Sequence, residues 1–416
     1  MQNTKSTKSR EQNSQSSMSR GLIFLFTLAG AAAIGNLYWA QPLLGMIAHS
    51  FGIPISQSGS FITFTQLGYA LGILLLMPLG DAINRRRFIP VLMFLSAIFL
   101  VASAFAPVYW SLLAALALVG MTSLGGQLLL PLAGDLTREE ERGKVIGIIA
   151  SGMLIGTMLS RLFGGVIADW FGWQATYIAA GVIDLSLAIT LLVKLPDDKP
   201  RNKIAYTQLL LSIIDIVKKS RPVQATILLG ACTFAVYTMF WTGLTFLLSA
   251  APFSYTPTQI GLLNLVGLLG SFAAKNTGKF HDRGQSTLVS GIGIGTVLAS
   301  LIIAAGGSHS IVVVMIATVL FNFAMQIVFV LSQTRLLSMQ AELRSRLNTA
   351  YVVACFIAGA SGSMVSGKLW QTGSWTLLVA GEVAIIVLAL ICWFFSRKTL
   401  ESVELSESID SNQTAP

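Results

Sequence analysis

The 416-residue chain is 54% hydrophobic and only 11% charged, where a soluble domain carries roughly 25% charged residues, which argues against a soluble globular enzyme. A mean hydropathy of +0.73 and 38 glycines point instead to a polytopic α-helical membrane protein, because membrane helices use glycine more freely than soluble ones. The formal charge of +9 would suggest a nucleic-acid partner in a soluble chain; here the placement of the basic residues sets membrane orientation, and no nucleic acid is expected.

In chain order, a Ser/Gln-rich stretch at 1–20 has too few apolar residues to order itself and predicts a disordered tail. Twelve apolar runs follow, each near the ~20 residues that a spanning helix needs: 22–47, 59–79, 88–106, 109–132, 145–168, 174–194, 223–249, 258–279, 286–305, 311–334, 347–369 and 374–396. The first is too long for a signal-peptide core and has no small-residue cleavage pattern behind it, so it reads as a retained helix. A polar stretch at 196–221 divides the chain, and its Ile204 to Val217 portion has the pattern of an amphipathic surface helix. The acidic segment 397–416 predicts a second disordered tail, so the chain divides into six-helix bundles at 21–195 and 222–396. Runs such as Leu112 to Val119 lack the alternation of a membrane β-barrel. Cys232, Cys355 and Cys392 fall inside apolar runs and form no disulfide or metal pattern.

Lys and Arg fix the expected orientation. The loops after spans 1, 3, 5, 7, 9 and 11 contain none, whereas the opposite segments hold 22, which places both termini in the cytoplasm. Of the remaining basic residues, only Arg161 is too deep in its span to reach a membrane surface.

The two halves match at a fixed offset of 202: Trp39 with Trp241, Gln57 with Gln259, Gly59 with Gly261, Glu140 with Glu342, Arg142 with Arg344, Gly165 with Gly367, and Trp173 with Trp375. Each half has an even number of spans, so the copies have parallel topology and are related by an axis along the membrane normal, with a cavity between them.

The loop after span 2 reads Gly80-Asp81-Ala82-Ile83-Asn84-Arg85-Arg86-Arg87, and that after span 8 reads Gly278-Lys279-Phe280-His281-Asp282-Arg283-Gly284. Both resemble the G-x-x-x-D-R-x-G-R/K loop of the major facilitator superfamily, with Asn84 in place of the acid in the first copy. Span 5 carries Gly156, Ser160, Arg161, Gly164 and Gly165, similar to the G-x-x-x-G-P-x-x-G-G motif of that family's drug:H⁺ antiporters, with Ser160 for Gly and Arg161 for Pro. The resemblance extends over residues 21–396. It implies two six-helix bundles working by alternating access, protons as the coupling ion, a bacterial inner-membrane location, and a gating role for Gly80, Asp81, Arg85 and Asp135, with Gly278, Asp282 and Arg283 in the second loop. Physically, Arg85 can donate to Asp135 at the foot of span 4, face a helix C-terminus, or simply obey the positive-inside rule. The small residues of span 5, echoed in span 11, admit close helix crossing against the other half.

Intramembrane ionisable residues are functional candidates because they are costly to insert. Arg161 and Asp184 differ in depth by roughly 4.5 Å at about 1.5 Å per residue. They can form a structural ion pair, or Arg161 can face the cavity to attract an anionic group or tune a proton-binding Asp184. Glu382 is a second coupling candidate, whose depth would also allow a protonated, lipid-adjacent side chain. Span 1 holds no acid, which argues mildly against a dedicated cation exporter. The expected cavity helices offer Asn36, Tyr38, Trp39, Gln41, Gln127, Tyr237, Trp241, Asn322 and Gln326, a lining suited to a neutral or amphipathic solute. Trp39 and Trp241 read equally well as aromatic-belt anchors. His49, His281 and His309 lie far apart, no phosphate-binding Gly-Lys-Ser/Thr run is present, and neither a metal nor another cofactor is expected.

The sequence therefore reads as a secondary transporter, not an enzyme, that exports a small organic or amphipathic solute in exchange for protons, with a monomer sufficient. The alternatives are uptake or export of an anionic metabolite bound at Arg161, and a membrane sensor that moves nothing.

Overall fold

The computed structural model describes residues 18–196, 215–266, 284–338 and 343–413. Among them there is no strand, and nine helices are long and apolar enough to cross a membrane. The first expected span is broken. Helix α1 (Arg20–Gly35) ends before Asn36, and the chain tightens into i→i+3 bonds from Gln41 N to Tyr38 O and from Leu43 N to Ala40 O before α2 (Leu44–Ser50). Pro42 is the local cause, since it has no N–H with which to continue the α-helical bond to Tyr38.

Then follow α3 (Gly59–Ala82), α4 (Arg85–Ala104), α5 (Tyr109–Thr122), α6 (Gly125–Leu136), α7 (Glu139–Phe171) and α8 (Trp173–Lys194). The expected span 109–132 is thus two segments, α5 and α6, with Ser123 and Leu124 at the joint and Gly125-Gly126 just after it. Asn84 is the N-cap of α4, its side chain accepting from Arg86 N at 2.9 Å, which gives a structural use to the residue that departs from the loop motif. Three glutamates in the first turn of α7 complement its N-terminal dipole, and Gly172, at φ +83°, turns the chain into α8.

The second half contains α9 (Arg221–Ser249), α10 (Pro257–Asn264), α11 (Ser286–Ala305), α12 (Ile311–Ser338) and α13 (Arg344–Gln413). A kink with non-helical backbone at Gly373 and Ser374 divides α13 into the last two expected spans. Beyond 396 the helix runs on through Gln413, where the sequence suggests a disordered tail; Leu400 on this extension is fully buried. The expected surface helix at 204–217 lies mostly outside the described residues, as do the tail 1–17 and the span 258–279 beyond residue 266.

Contacts between the halves repeat at the 202-residue offset. A Cβ on Gly59 would meet the Ser363 carbonyl, and one on Gly261 would meet the Arg161 carbonyl; likewise Gly367 abuts Ser56, and Gly165 abuts Pro257 and Thr258. Thr63 Oγ1 donates to Ala360 O at 2.9 Å, Ser363 Oγ to Gly59 O at 2.8 Å, and Thr258 N to Asp169 Oδ2 at 2.9 Å. All of these contacts lie toward the helix ends whose loops carry no Lys or Arg, so the halves are joined there, backbone against backbone. Small residues make the approach possible, as expected in a membrane where apolar burial adds little to helix association.

Most of the span 5 motif, however, packs within its own half. Gly156 meets Ala31, Ser160 meets Gly35 and Gly164 meets Trp39, leaving Gly165 and Arg161 to touch the other half. Phe24, Phe94, Ile189 and Phe395 are more than 45% exposed on the outer surface, as lipid-facing side chains of spanning helices are.

Candidate functional site

On the basic side of this closure, between the halves, lies a cavity of about 140 Å³. Tyr38 contributes from the tightened segment after α1, Leu154, Thr157 and Met158 from α7, Thr233, Phe234 and Tyr237 from α9, and Asn322, Met325, Gln326 and Phe329 from α12. Four of the expected lining residues, Tyr38, Tyr237, Asn322 and Gln326, are thereby brought together. Phe234, Phe329 and the two methionines carry no signal in the sequence, because an apolar side chain facing a cavity looks like one facing lipid.

Arg161 lies directly behind Tyr38 and Tyr237. It is only 1% exposed, its Nε donates to Gln41 Oε1 at 2.6 Å, and Nη2 reaches Tyr237 Oη at 3.5 Å. Its Cζ sits 4.5 Å from the Tyr38 ring centroid and 5.0 Å from that of Trp241. Two aromatic faces and an amide therefore hold this cation; a desolvated cation–π contact is worth up to about 2 kcal/mol. Trp241 is buried beside Arg161, which removes the belt-anchor reading for it.

Asp184, on α8, is equally buried and does not pair with Arg161. Asn36 Nδ2 donates to Asp184 Oδ2 at 2.7 Å and lies 3.1 and 3.4 Å from the hydroxyls of Ser96 and Ser123. Trp39 Nε1 donates to Asn36 Oδ1 at 3.1 Å, so Trp39 is also an interior residue and not a belt anchor. Asp184 Oδ1 has no hydrogen-bond partner. The ion pair allowed by depth fails on azimuth, because Arg161 turns toward α9 while Asp184 turns toward α1 and α4. The segment 36–41 touches both groups, Asp184 through Asn36 and Arg161 through Tyr38 and Gln41.

Asn36, Trp39 and Asp184 instead form part of the wall of a second cleft, about 330 Å³, between α1, α7 and α8. Its rim includes Leu28, Phe163 and Ile183, each more than 40% exposed on the lipid-facing surface. Gln127 lies off the cavity wall, donating to Tyr69 Oη at 3.2 Å. Glu382 is fully buried inside the second half with neither carboxylate oxygen partnered, so it is not lipid-adjacent, and it does not line the cavity.

At the basic end, Arg85 Nη1 contacts Asp135 Oδ2 at 3.0 Å and Nε donates to the Gly80 carbonyl at 3.1 Å. Asp81 lies in the last turn of α3, while Gly278, Asp282 and Arg283 lie outside the described residues. Arg335, which the sequence places in a loop, is fully buried near the end of α12 and donates to Thr287 Oγ1 at 3.1 Å. Among the described residues no group of three His, Cys, Asp or Glu side chains could hold a metal.

The sequence profile of the Major Facilitator Superfamily matches residues 25–363. The uncharacterized transporter YgaY of Escherichia coli O157:H7 is 35% identical over 377 residues, covering 90% of this chain and 96% of that protein. A probable transporter of Streptomyces coelicolor is 28% identical over 365 residues, 88% of this chain and 85% of that one. Among solved structures, a bacterial homolog of the human lysosomal transporter Spinster superimposes with a TM-score of 0.75 at 16% identity, covering 94% of this chain and 99% of its own.

Proposed function

The chain belongs to the major facilitator superfamily and is a membrane transporter, and from that premise we propose that it exports a small organic solute in exchange for protons by alternating access. The observation that carries this reading is the cavity between two halves whose matched backbone contacts, among the described residues, gather toward the end away from the basic loops. Such contacts can separate as rigid units while the cavity opens on the other face. The positive-inside rule supports a cytoplasmic basic end and cytoplasmic termini, and in the proposed bacterial inner membrane the cavity then faces the cytoplasm in this state.

Asp184 is the proposed proton carrier, since Asn36 and Ser96 stand at its carboxylate while, among the described residues, Oδ1 has no hydrogen-bond partner and can hold a proton. Arg161, Tyr38, Gln41, Tyr237, Trp241, Asn322 and Gln326 form the proposed solute site. The tightened segment at 36–43 links the two, so that loading either one displaces side chains that hold the other. The Arg85–Asp135 pair is the proposed cytoplasmic latch, with Gly80 and Asp81 beside it and Gly278, Asp282 and Arg283 as its counterpart. Glu382 is a secondary proton candidate. A monomer holds the whole path.

The test is flux in proteoliposomes under an imposed pH gradient, with a panel of neutral, cationic and anionic solutes. Wild type is expected to accumulate solute only with the gradient, and Asp184→Asn to lose that accumulation. Gradient-independent flux, or intact coupling in Asp184→Asn, rules out Asp184 as carrier; no saturable flux of any solute favours a non-transporting sensor. One observation favours an anionic solute: Arg161 is buried and, among the described residues, has no carboxylate partner. On that reading Arg161→Gln loses anion flux and keeps flux of a neutral compound.

A further inference from the structure

We infer that the cavity is shaped for a single-ring aromatic carboxylate, its ring against the tyrosine and phenylalanine faces and its carboxylate turned to Arg161. The inference rests on the transporter reading and names the substrate class of the same site.

Size comes first. A volume of about 140 Å³ is close to the ~150 Å³ apolar cavity that accommodates one benzene molecule, so a single ring fits within it. The walls come second. Phe234 stacks on Tyr237 at 5.8 Å with 26° between planes, Tyr237 lies parallel to Phe321 behind it at 6.4 Å and 12°, and Phe321 stacks on Phe240 at 4.1 Å. This series of near-parallel rings holds Phe234 and Tyr237 rigidly in the cavity wall, where another ring can pack against them by offset stacking or edge contact.

Charge comes third. Arg161, behind the Tyr38 and Tyr237 wall, has one firm hydrogen bond, from Nε to Gln41, and one long one, from Nη2 to Tyr237; among the described residues Nη1 has none. The two terminal nitrogens are therefore the edge of the guanidinium left for a ligand, and that planar fork matches a carboxylate. An anion there replaces the long contact to Tyr237 and supplies the missing countercharge. A benzylic amine of the same size would set a second cation against Arg161. On the α12 wall, Gln326 makes no hydrogen bond among the described residues, so its amide is available to a ring hydroxyl.

The test is equilibrium binding to the full chain in nanodiscs with no pH gradient, using benzoate, 4-hydroxybenzoate, cyclohexanecarboxylate, benzyl alcohol and benzylamine. Benzoate is expected to bind saturably and about three- to tenfold more tightly than cyclohexanecarboxylate, the range set by an aromatic pair. Arg161→Gln is expected to weaken benzoate by about 10- to 100-fold and leave benzyl alcohol unchanged, which also shows that the variant is folded. Phe234→Leu is expected to remove the preference for benzoate over cyclohexanecarboxylate while retaining the latter. Equal affinity for those two acids, tighter binding of benzylamine, or benzoate affinity insensitive to Arg161→Gln overturns the inference. Proton-driven flux of other solutes without benzoate binding overturns it and leaves the transporter reading standing; benzoate binding without any proton-driven flux does the reverse.

Discussion

The buried charges of this protein, on which the proposed transport chemistry rests, are each held differently. Arg85 has a carboxylate, Arg161 two aromatic rings and an amide, Asp184 an amide and the Ser96 hydroxyl, and Glu382 no hydrogen-bond partner among the described residues. The side chain of Arg85 is 5% exposed and that of Asp135 24%, so their attraction is only partly screened. A double-mutant cycle with Arg85→Ala and Asp135→Ala, read as resistance to detergent unfolding, is expected to give a coupling of about 1 kcal/mol; additive losses would mean that the two act independently. Arg85 and Asp135 were legible in the sequence because a loop motif and a helix foot fix both their depth and their side of the membrane. The environment of Arg161 was not, because depth along two helices says nothing about rotation around them. Arg335 was misread for a related reason: α12 continues a turn beyond the apolar run and carries that cation into the interior.

At the level of elements, the decisive features are the tightened stretch at 36–43 and the paired glycines of the closure. The nine spanning-length helices among the described residues were legible because membrane length imposes itself on composition. The break in the first apolar run was not, although Pro42 was its marker, since a proline near a helix end is common and only the structure shows that Asn36, Tyr38 and Gln41 lie on the displaced turns. The small residues of span 5 were read as facing the other half, whereas three of the four contacts lie within the first half, because a G-x-x-x-G spacing specifies closeness without specifying a partner. Gly165 is the exception, so Gly165→Leu is expected to force α7 from the Pro257–Thr258 backbone. Labelling of Thr258→Cys by a membrane-impermeant thiol reagent should then rise several-fold, while Gly143→Leu, where added atoms meet nothing, should leave it unchanged. Equal labelling in both backgrounds would show that the closure does not depend on that contact.

The whole molecule is a duplicated unit whose copies meet by the same rule. Gly59 against Ser363 and Gly261 against Arg161 are one contact made twice, as are Gly367 against Ser56 and Gly165 against Thr258. The symmetry is broken where the chemistry lies: Arg161 occupies the place of Ser363, and Asp184 that of Ile386. The first half therefore carries the proposed proton and anion groups, and the second supplies most of the aromatic wall. In a background lacking Cys232, Cys355 and Cys392, spin-label distances between positions 57 and 368, at the closed end, and between 144 and 345, at the basic end, follow both faces at once. Alternating access requires the first pair to be short at rest and to gain a longer population, as the second pair gains a shorter one, when solute is added or the pH is lowered. A single unchanged distance at both ends across all these conditions would contradict it.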